Sequence, residues 1–513
     1  MEYQLLAVLG LLGLAIYHLI VYPAFLSPLA KAPNAHWSVP FSNLWVLYHR
    51  WREDITPVTH TAHQKHGPIV RLGPNDLSVN SVDGGIRTVY GGGYEKGTWY
   101  VNGFNNYGFM PMFAMPDHGN HSRRKRMLSN IYAKSSLQNH QALGVISSAL
   151  LDGRLKPLLR RVVASGQPVE FYYIFAAIMH DFVTAYVFGL RNGTNLTDYP
   201  DKTARFLEDY KARQRFHFWP QEMPWSTWCL DQIGLKWLVV PQWVDQANAD
   251  LEASLLRMCI GAQETLRESE CAPEDYPTVY AQLVNALALA DKASVNGTAD
   301  NRQLSVASEL LDHTLAGFDT SSITLTFYAW QISKPDHKDW QRRLCEELQG
   351  VDVHDAKALD ALPVLHATLM ETLRLHTAIP GPQPRVTPAG ATFGTLIGLP
   401  SGVRVQSQAW SLHRNESVFP DAEAWRPERW LNADEKHRRE MNKWFWAFSS
   451  GGRMCIGSNL AMLDMKATVA AIWSEFETDV AYDNGMVQRG GYVAEPVGAD
   501  GKYCLLRVQK AEV

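Results

Sequence analysis

Cysteine is scarce in this chain. Six occur in 513 residues, at 229, 259, 271, 345, 455 and 504. No two form a Cys-x-x-Cys pair, and so sparse a set in so long a chain excludes a disulfide framework and fits a reducing compartment. Charge of either sign is not in excess. Lys and Arg total 48 against 52 Asp and Glu, a net charge of −4, which argues against a nucleic-acid partner. Internal repeats and low-complexity tracts are absent. A dinucleotide fingerprint is also missing. The glycine cluster YGGGYEKG (90–97) fails the G-x-G-x-x-G spacing and has no strand-to-helix context, so the chain carries no flavin or nicotinamide motif. His60, His63 and His66 recur every third residue. No carboxylate or cysteine joins them, and they are assigned to a surface helix rather than a metal site.

What is present begins with apolar residues, 46% of the chain, enough for a sizeable core. From Tyr3 to Tyr22 the sequence is YQLLAVLGLLGLAIYHLIVY, without Asp, Glu, Lys or Arg. Twenty helical residues rise about 30 Å, the hydrocarbon thickness of a bilayer. Pro23 and Pro28 then interrupt the pattern. A Met-Glu start and the lack of a clean small-residue cleavage site exclude a secretory signal. Residues 1–22 are therefore expected to be a single-pass transmembrane anchor. Lys31, Arg50 and Arg52 follow the span while Glu2 precedes it, which places the body in the cytosol. The sequons at Asn192, Asn195, Asn296 and Asn415 are then chance occurrences, because a cytosolic body does not meet the glycosylation machinery.

Residues 23–45 are expected to be a proline-containing hinge, and 46–513 a catalytic domain. HGPIVRLGPNDLSVNS (66–81) alternates between turn signals and predicts short strands. Residues 98–118 are aromatic and methionine-rich without a period and predict a long apolar loop. From 121 to about 375 the pattern is mostly helical; turns and strands return at 380–411, and a helix follows Gly457. The fold class is mainly α with minor β. Trp219, Trp225, Trp228, Trp237 and Trp243 suit either core packing or a membrane interface.

Five motifs carry chemistry. FSSGGRMCIG (448–457) places Cys455 just before a helix start, where dipoles and cations favour a thiolate, with glycines that permit a sharp turn. LSVASELLDHTLAGFDTSSITLTFYAWQIS (304–333) is a long helix stopped near Lys334-Pro335. Its glycine, Gly317, costs about 1 kcal/mol against alanine and so needs a compensation. In ETLR (371–374), Glu371 and Arg374 share a helix face. HSRRKR (121–126) opens a basic helix, and PGPQPRVTP (380–388) is a proline-rich turn.

Phe448, Gly451, Arg453, Cys455 and Gly457 together match F-x-x-G-x-R-x-C-x-G, which resembles the haem-binding signature of the cytochrome P450 family. The other four motifs follow in that family's order, so the resemblance covers nearly the whole chain. It implies a cytochrome P450-like fold behind the transmembrane helix and haem b (iron protoporphyrin IX) bound through Cys455. It implies propionate contacts from Arg453, Arg385, His121 and a cation at Lys125 or Arg126. The family pattern has Arg where Lys125 stands, and Lys lacks the bidentate fork. AGFDTS implies Ala316 and Gly317 leaving room for oxygen, and Asp319 with Thr320 delivering protons. Glu371, Arg374 and Arg429 would form a buried structural triad. Asp312, two turns before Thr320 on the same face, is expected to line the pocket and bond a polar substrate group.

The implied function is oxidation of a lipophilic small molecule with O2 and NADPH-derived electrons, on the endoplasmic reticulum membrane. The dispersed regions resemble fungal members serving secondary metabolism. NADPH-cytochrome P450 reductase is the implied partner, docking on Arg123, Arg124, Arg126, Lys436, Arg438 and Arg439. Arg123 and Arg124 are otherwise solvated charges. Phenol coupling, ring closure and desaturation use the same centre and are the alternative. A membrane-tethered haem sensor without turnover is a third reading, against which the Asp319–Thr320 pair speaks.

Overall fold

One helix of 34 residues, Ala299–Ile332, runs through the middle of the molecule. It stops where expected: Lys334 is extended (φ −66°, ψ 145°) ahead of Pro335, which cannot donate to a preceding turn and disfavours a helical neighbour. The computed structural model describes residues 2–291, 299–483, 485–498 and 504–511. The sequon at Asn296 lies outside them.

The central helix packs along Phe171–Phe188, an apolar helix long enough to cross a membrane but buried over 94% of its length. The two approach closely at Gly317, where an added Cβ would lie 2.8 Å from Val183 Cγ2. Glycine at 317 thus serves helix–helix packing, which corrects the expectation that it clears space for oxygen. Ala316, one position earlier, lines the cavity instead. On the next position Phe318 is fully buried, edge-on to His180, Phe206 and Tyr210.

Strands are few and short. Ile69–Gly73 and Asp76–Val79 pair antiparallel within the predicted segment, and Asp76–Val79 then runs parallel to Arg404–Gln406, which pairs with Arg385–Val386. This sheet carries Arg385 to the centre of the molecule. The 98–118 segment is less irregular than expected, since Thr98–Phe104 is a helix. Its Tyr100 is fully buried and edge-on to Phe113.

At the N-terminus, Glu2–Ile16 is α-helical and continues as a wider π-helix through Leu26, past Pro23. The Ser27 N–H reaches the Tyr22 carbonyl, five residues back, at 2.8 Å. The helix therefore ends four residues beyond the expected boundary at Tyr22. No residue from Tyr3 to Leu26 in this apolar stretch is buried against the rest of the chain. The 23–45 segment is docked rather than hinging. Arg71 donates to the Pro23 carbonyl at 2.8 Å, and Leu29, Ala32 and Val39 are buried. Trp225, Trp228 and Trp237 are exposed, whereas Trp219 is half-buried and faces the cavity. In the helix Ile55–His66, His63 is buried between Ser78 and the Gly67 carbonyl. Groups able to hold a metal ion through several His, Cys, Asp or Glu are absent among the described residues. The Asn192 amide donates to the Phe188 carbonyl and Thr265, an engagement a glycan on that nitrogen would break.

Glu371 and Arg374 are both fully buried. One carboxylate oxygen of Glu371 accepts from Arg374 Nη2 at 2.8 Å, Arg429 Nε at 3.0 Å and the Arg426 backbone at 2.9 Å. The other accepts from Arg374 Nε and the Trp430 indole, both at 2.9 Å. Arg374 also donates to the carbonyls of His413, Ala422 and Ala424. This carboxylate therefore binds the helix Pro363–Leu375 to the irregular 413–430 segment. Glu371→Gln leaves two guanidinium groups short of their counter-charge and is expected to cost about 3–5 kcal/mol. A fall in the urea midpoint, with Leu373→Ile as a control of similar volume, measures it.

Candidate active site around Cys455

Cys455 sits in a loop whose shape the backbone dictates. Its N–H bonds to the Phe448 carbonyl at 3.0 Å, which closes the loop, and the Phe448 ring packs against the main core. Gly451 has φ +71°, and a Cβ there would lie 2.2 Å from the Tyr90 carbonyl oxygen; no other residue fits. Gly457 differs. It has φ −86°, and a Cβ there would meet no protein atom within 4 Å, so neither strain nor protein packing requires glycine. The helix Ser458–Trp473 begins immediately after it. The Cys455 side chain has accessible surface yet lies deep enough that burial raises its thiol pKa, against the Gly457 N–H and the Lys125 charge, which lower it.

The cations around this loop form an unusual set. Arg385 is buried and donates to Tyr100 Oη at 3.0 Å and the Pro384 carbonyl at 2.8 Å. Arg453 donates to the carbonyls of Met115 and Pro116, both at 2.6 Å, and burial with the nearby Arg385 charge lowers its pKa to about 10. Lys96 is buried, its ammonium 3.7 Å from the Phe113 ring centroid and bonded to the Phe113 carbonyl. Burial, Arg385 and Arg453 all push the Lys96 pKa down. His121 is buried, and burial with Arg453 and Lys96 drives its pKa to about 3. None of Lys96, Arg385 and Arg453 has a carboxylate in ion-pair contact among the described residues. A protein interior does not gather like charges without an anion to share. A group with two carboxylates, such as the porphyrin propionates, fits this set.

Lys125 behaves differently. Its ammonium donates to the carbonyls of Gly452 at 3.0 Å and Met454 at 2.7 Å, so it braces the cysteine loop. Arg126 is exposed and makes no described contact, which removes it from the expected propionate contacts. Arg124 corrects its assignment as a solvated charge. It is largely buried, 3.6 Å from Glu309, whose side chain is fully buried, and bonded to Ser305. It is thereby withdrawn from any docking surface, whereas Arg123, Lys436, Arg438 and Arg439 are exposed.

A cavity of about 860 Å³ opens over the central helix, lined by Asp312, Leu315, Ala316, Asp319 and Thr320, with Phe104, Phe113 and Tyr492 opposite. The expected shared face of Asp312, Ala316 and Thr320 is what the helix presents. Burial raises the Asp312 pKa to about 6. Thr320 Oγ1 donates to the Ala316 carbonyl at 2.9 Å. Asp319 does not bond Thr320; its carboxylate accepts from Tyr210 Oη at 2.8 Å, Gln214 at 3.0 Å and Lys211 Nζ at 3.2 Å, all on the helix Pro200–Arg215. Lys211 also reaches Glu495 at 2.5 Å. Burial lowers the Lys211 pKa, but the two carboxylates outweigh it and hold it above the ordinary lysine value.

Sequence reasoning missed four participants. Lys96 stands in a glycine cluster, next to Glu95 and between Tyr94 and Trp99, with no motif to mark it. Tyr210 and Lys211 lie on a charge-rich helix with no motif. His413 is buried, its pKa pushed to about 3 by burial and Arg374. It accepts from the Trp446 N–H at 2.7 Å through Nε2, and Nδ1 is 2.7 Å from the Arg374 carbonyl. The neutral ring therefore carries its proton on Nδ1 and links the Glu371 cluster to the strand of chain entering the cysteine loop.

Residues 33–489 match the family model "Cytochrome P450". Among similar proteins is a tryprostatin B 6-hydroxylase of Aspergillus fumigatus, 27% identical over 91% of this chain and 78% of the relative. A cytochrome P450 monooxygenase of Aspergillus versicolor is 27% identical over 78% of this chain and 93% of the relative. A benzoate 4-monooxygenase of Aspergillus niger is 25% identical, covering 96% of both.

If the cation set serves an anionic cofactor, Lys96→Met removes a charge-assisted contact worth about 1.5–3 kcal/mol. Haem transfer from the holoprotein to a scavenger globin is expected to quicken about tenfold or more. An unchanged rate would exclude Lys96 from the site.

Proposed function

This chain belongs to the cytochrome P450 family and is a haem-dependent monooxygenase, and we propose that it oxidises a lipophilic small molecule in fungal secondary metabolism, with Cys455 as the ligand to iron. The observation that carries the site assignment is the convergence of Lys96, Arg385 and Arg453 around the Cys455 loop, beside a neutral His121, with no carboxylate in ion-pair contact with them among the described residues. The names of two relatives, a tryprostatin B 6-hydroxylase and a benzoate 4-monooxygenase, support oxygen insertion into a small organic molecule.

A thiolate-ligated haem b activates dioxygen; the protein supplies position, protons and dryness. Lys96, Arg385 and Arg453 would hold the propionates, with His121 against them, while Lys125 keeps the Gly452 and Met454 carbonyls in place. Asp319 would pass protons toward Thr320 Oγ1, which lines the cavity while it donates to the Ala316 carbonyl. Glu495, partly open to solvent, and Lys211 line a charged path from the surface to Asp319. Phe104, Phe113 and Tyr492 make an apolar wall suited to a lipophilic substrate. Asp312 faces the same space and would bond a polar substrate group; Asp312→Ala should then weaken substrate affinity with haem content intact.

Residues 1–26 would anchor the chain in the endoplasmic reticulum membrane, with the body from about residue 46 cytosolic. The exposed Arg123, Lys436, Arg438 and Arg439 would meet an acidic face of NADPH-cytochrome P450 reductase.

Cys455→Ser is expected to abolish the thiolate signature of the reduced carbon-monoxide complex, and an unaltered spectrum would move the ligand elsewhere. Asp319→Asn is expected to lower product formation about a hundredfold while NADPH consumption and peroxide release persist. Equal loss of both would point to a defect in electron delivery instead.

A further inference from the structure

Among the described residues, one buried cation that lines the cavity has no carboxylate in contact with it. The helix Pro200–Arg215 turns a stripe of Thr203, Leu207, Tyr210 and Arg213 inward, at the spacing of one helix face. Three members are what a buried face wants; the fourth is an arginine, 9% exposed, that lines the cavity. Its one described hydrogen bond is to Asn106 Oδ1, which leaves most of its five N–H donors uncommitted.

The other buried cations lining this space have acids. Lys211 lies between Asp319 and Glu495, and Arg50 and Arg404 both grip Glu222. Among the described residues, Arg213 is in ion-pair contact with none. Burial lowers its pKa, and the charges of Asp312 and Glu252 offset this only from beyond contact distance. A desolvated guanidinium without an anion is costly, and its planar fork matches the two oxygens of a carboxylate.

We propose that Arg213 binds the carboxylate of the substrate, so that this enzyme takes aryl or alkyl organic acids and oxidises them at the end away from the acid group. This rests on reading the cavity as the monooxygenase pocket. Asp312 is two turns before Thr320, about 12 Å along the helix axis. Arg213 bonds Asn106, whose N–H shares the Phe109 carbonyl with Ser308 of the central helix, one turn before Asp312, so the guanidinium belongs to the Asp312 end. An acid held there extends its carbon chain toward Ala316 and Thr320. Attack then falls several carbons from the carboxyl group.

Matched probes test this: 4-phenylbutanoate, its methyl ester and its amide, titrated calorimetrically into the full-length holoenzyme. The acid is expected to bind roughly tenfold to a hundredfold more tightly than the ester. Arg213→Gln should remove that preference and leave ester affinity unchanged, and Arg213→Lys should restore part of it. No preference for the acid in the wild type, or a preference that survives Arg213→Gln, overturns the proposal. Haem content and the carbon-monoxide spectrum are measured on the same preparations. Their failure in the wild type strikes at the monooxygenase reading, whereas a missing acid preference strikes at Arg213 alone.

Discussion

The Glu371 carboxylate accepts five hydrogen bonds in a site sealed from water, and the rest of the functional architecture is hung from it. Arg374 carries the connection outward, because its guanidinium gathers three carbonyls of the 413–424 segment. His413 takes it further through a bond on each ring nitrogen, to the Arg374 carbonyl and the Trp446 N–H. Two residues beyond Trp446 is Phe448, whose carbonyl receives the Cys455 N–H. A buried carboxylate about eighty residues away in sequence thus sets where the sulfur stands. Such a chain of buried polar groups tolerates no partial satisfaction, which makes it a rigid mount rather than a flexible one.

Charge in the interior is sorted by what answers it. The Glu371 cluster is closed, with all five N–H groups of Arg374 met by acceptors of the chain. The Glu222 cluster is balanced in charge, since Arg50, Arg404 and the Trp99 indole all reach that carboxylate, although Arg50 Nε is left without a partner. It ties the short helix Phe218–Glu222 over the cavity mouth to the sheet. Among the described residues, two places that line the cofactor or substrate space are open, the group of Lys96, Arg385 and Arg453 near Cys455 and Arg213 in the cavity, whereas buried Arg71 spends its donors on the carbonyls of Pro23, Gly73 and Pro74. The physics of desolvation is the same in all four. What differs is whether the counter-charge belongs to the chain, and the open places are those where a cofactor or substrate is proposed to provide it.

The distal side shows how one helix serves two masters. Successive residues of the central helix alternate between packing and cavity. Ala316 and Thr320 face the space, Gly317 yields to Val183, and Phe318 fills the core. Asp319 projects to the side, into Tyr210, Lys211 and Gln214. The adjacent acid and alcohol therefore point to different partners, and any transfer between them needs a side-chain rotation or an intervening water.

Short-range patterns were legible in the sequence because their physics is local. The apolar N-terminal stretch, the long helix and its proline stop, the strands at 66–81, the loop-to-helix placement of Cys455 and the Glu371–Arg374 pair all follow from spacing along the chain. Tertiary structure decided the rest. Gly317 looked like a clearing for oxygen and proved to be a helix contact, since only Val183, more than a hundred residues away, reveals the crossing. Arg124 looked solvated until Glu309 answered it. Lys125 and Arg126 were indistinguishable as neighbours, yet one reaches the cysteine loop and the other faces solvent. Lys96 and Arg213 carried no motif. A charge becomes informative only when its burial and its missing partner are known, and both are properties of three-dimensional neighbours, not of sequence neighbours.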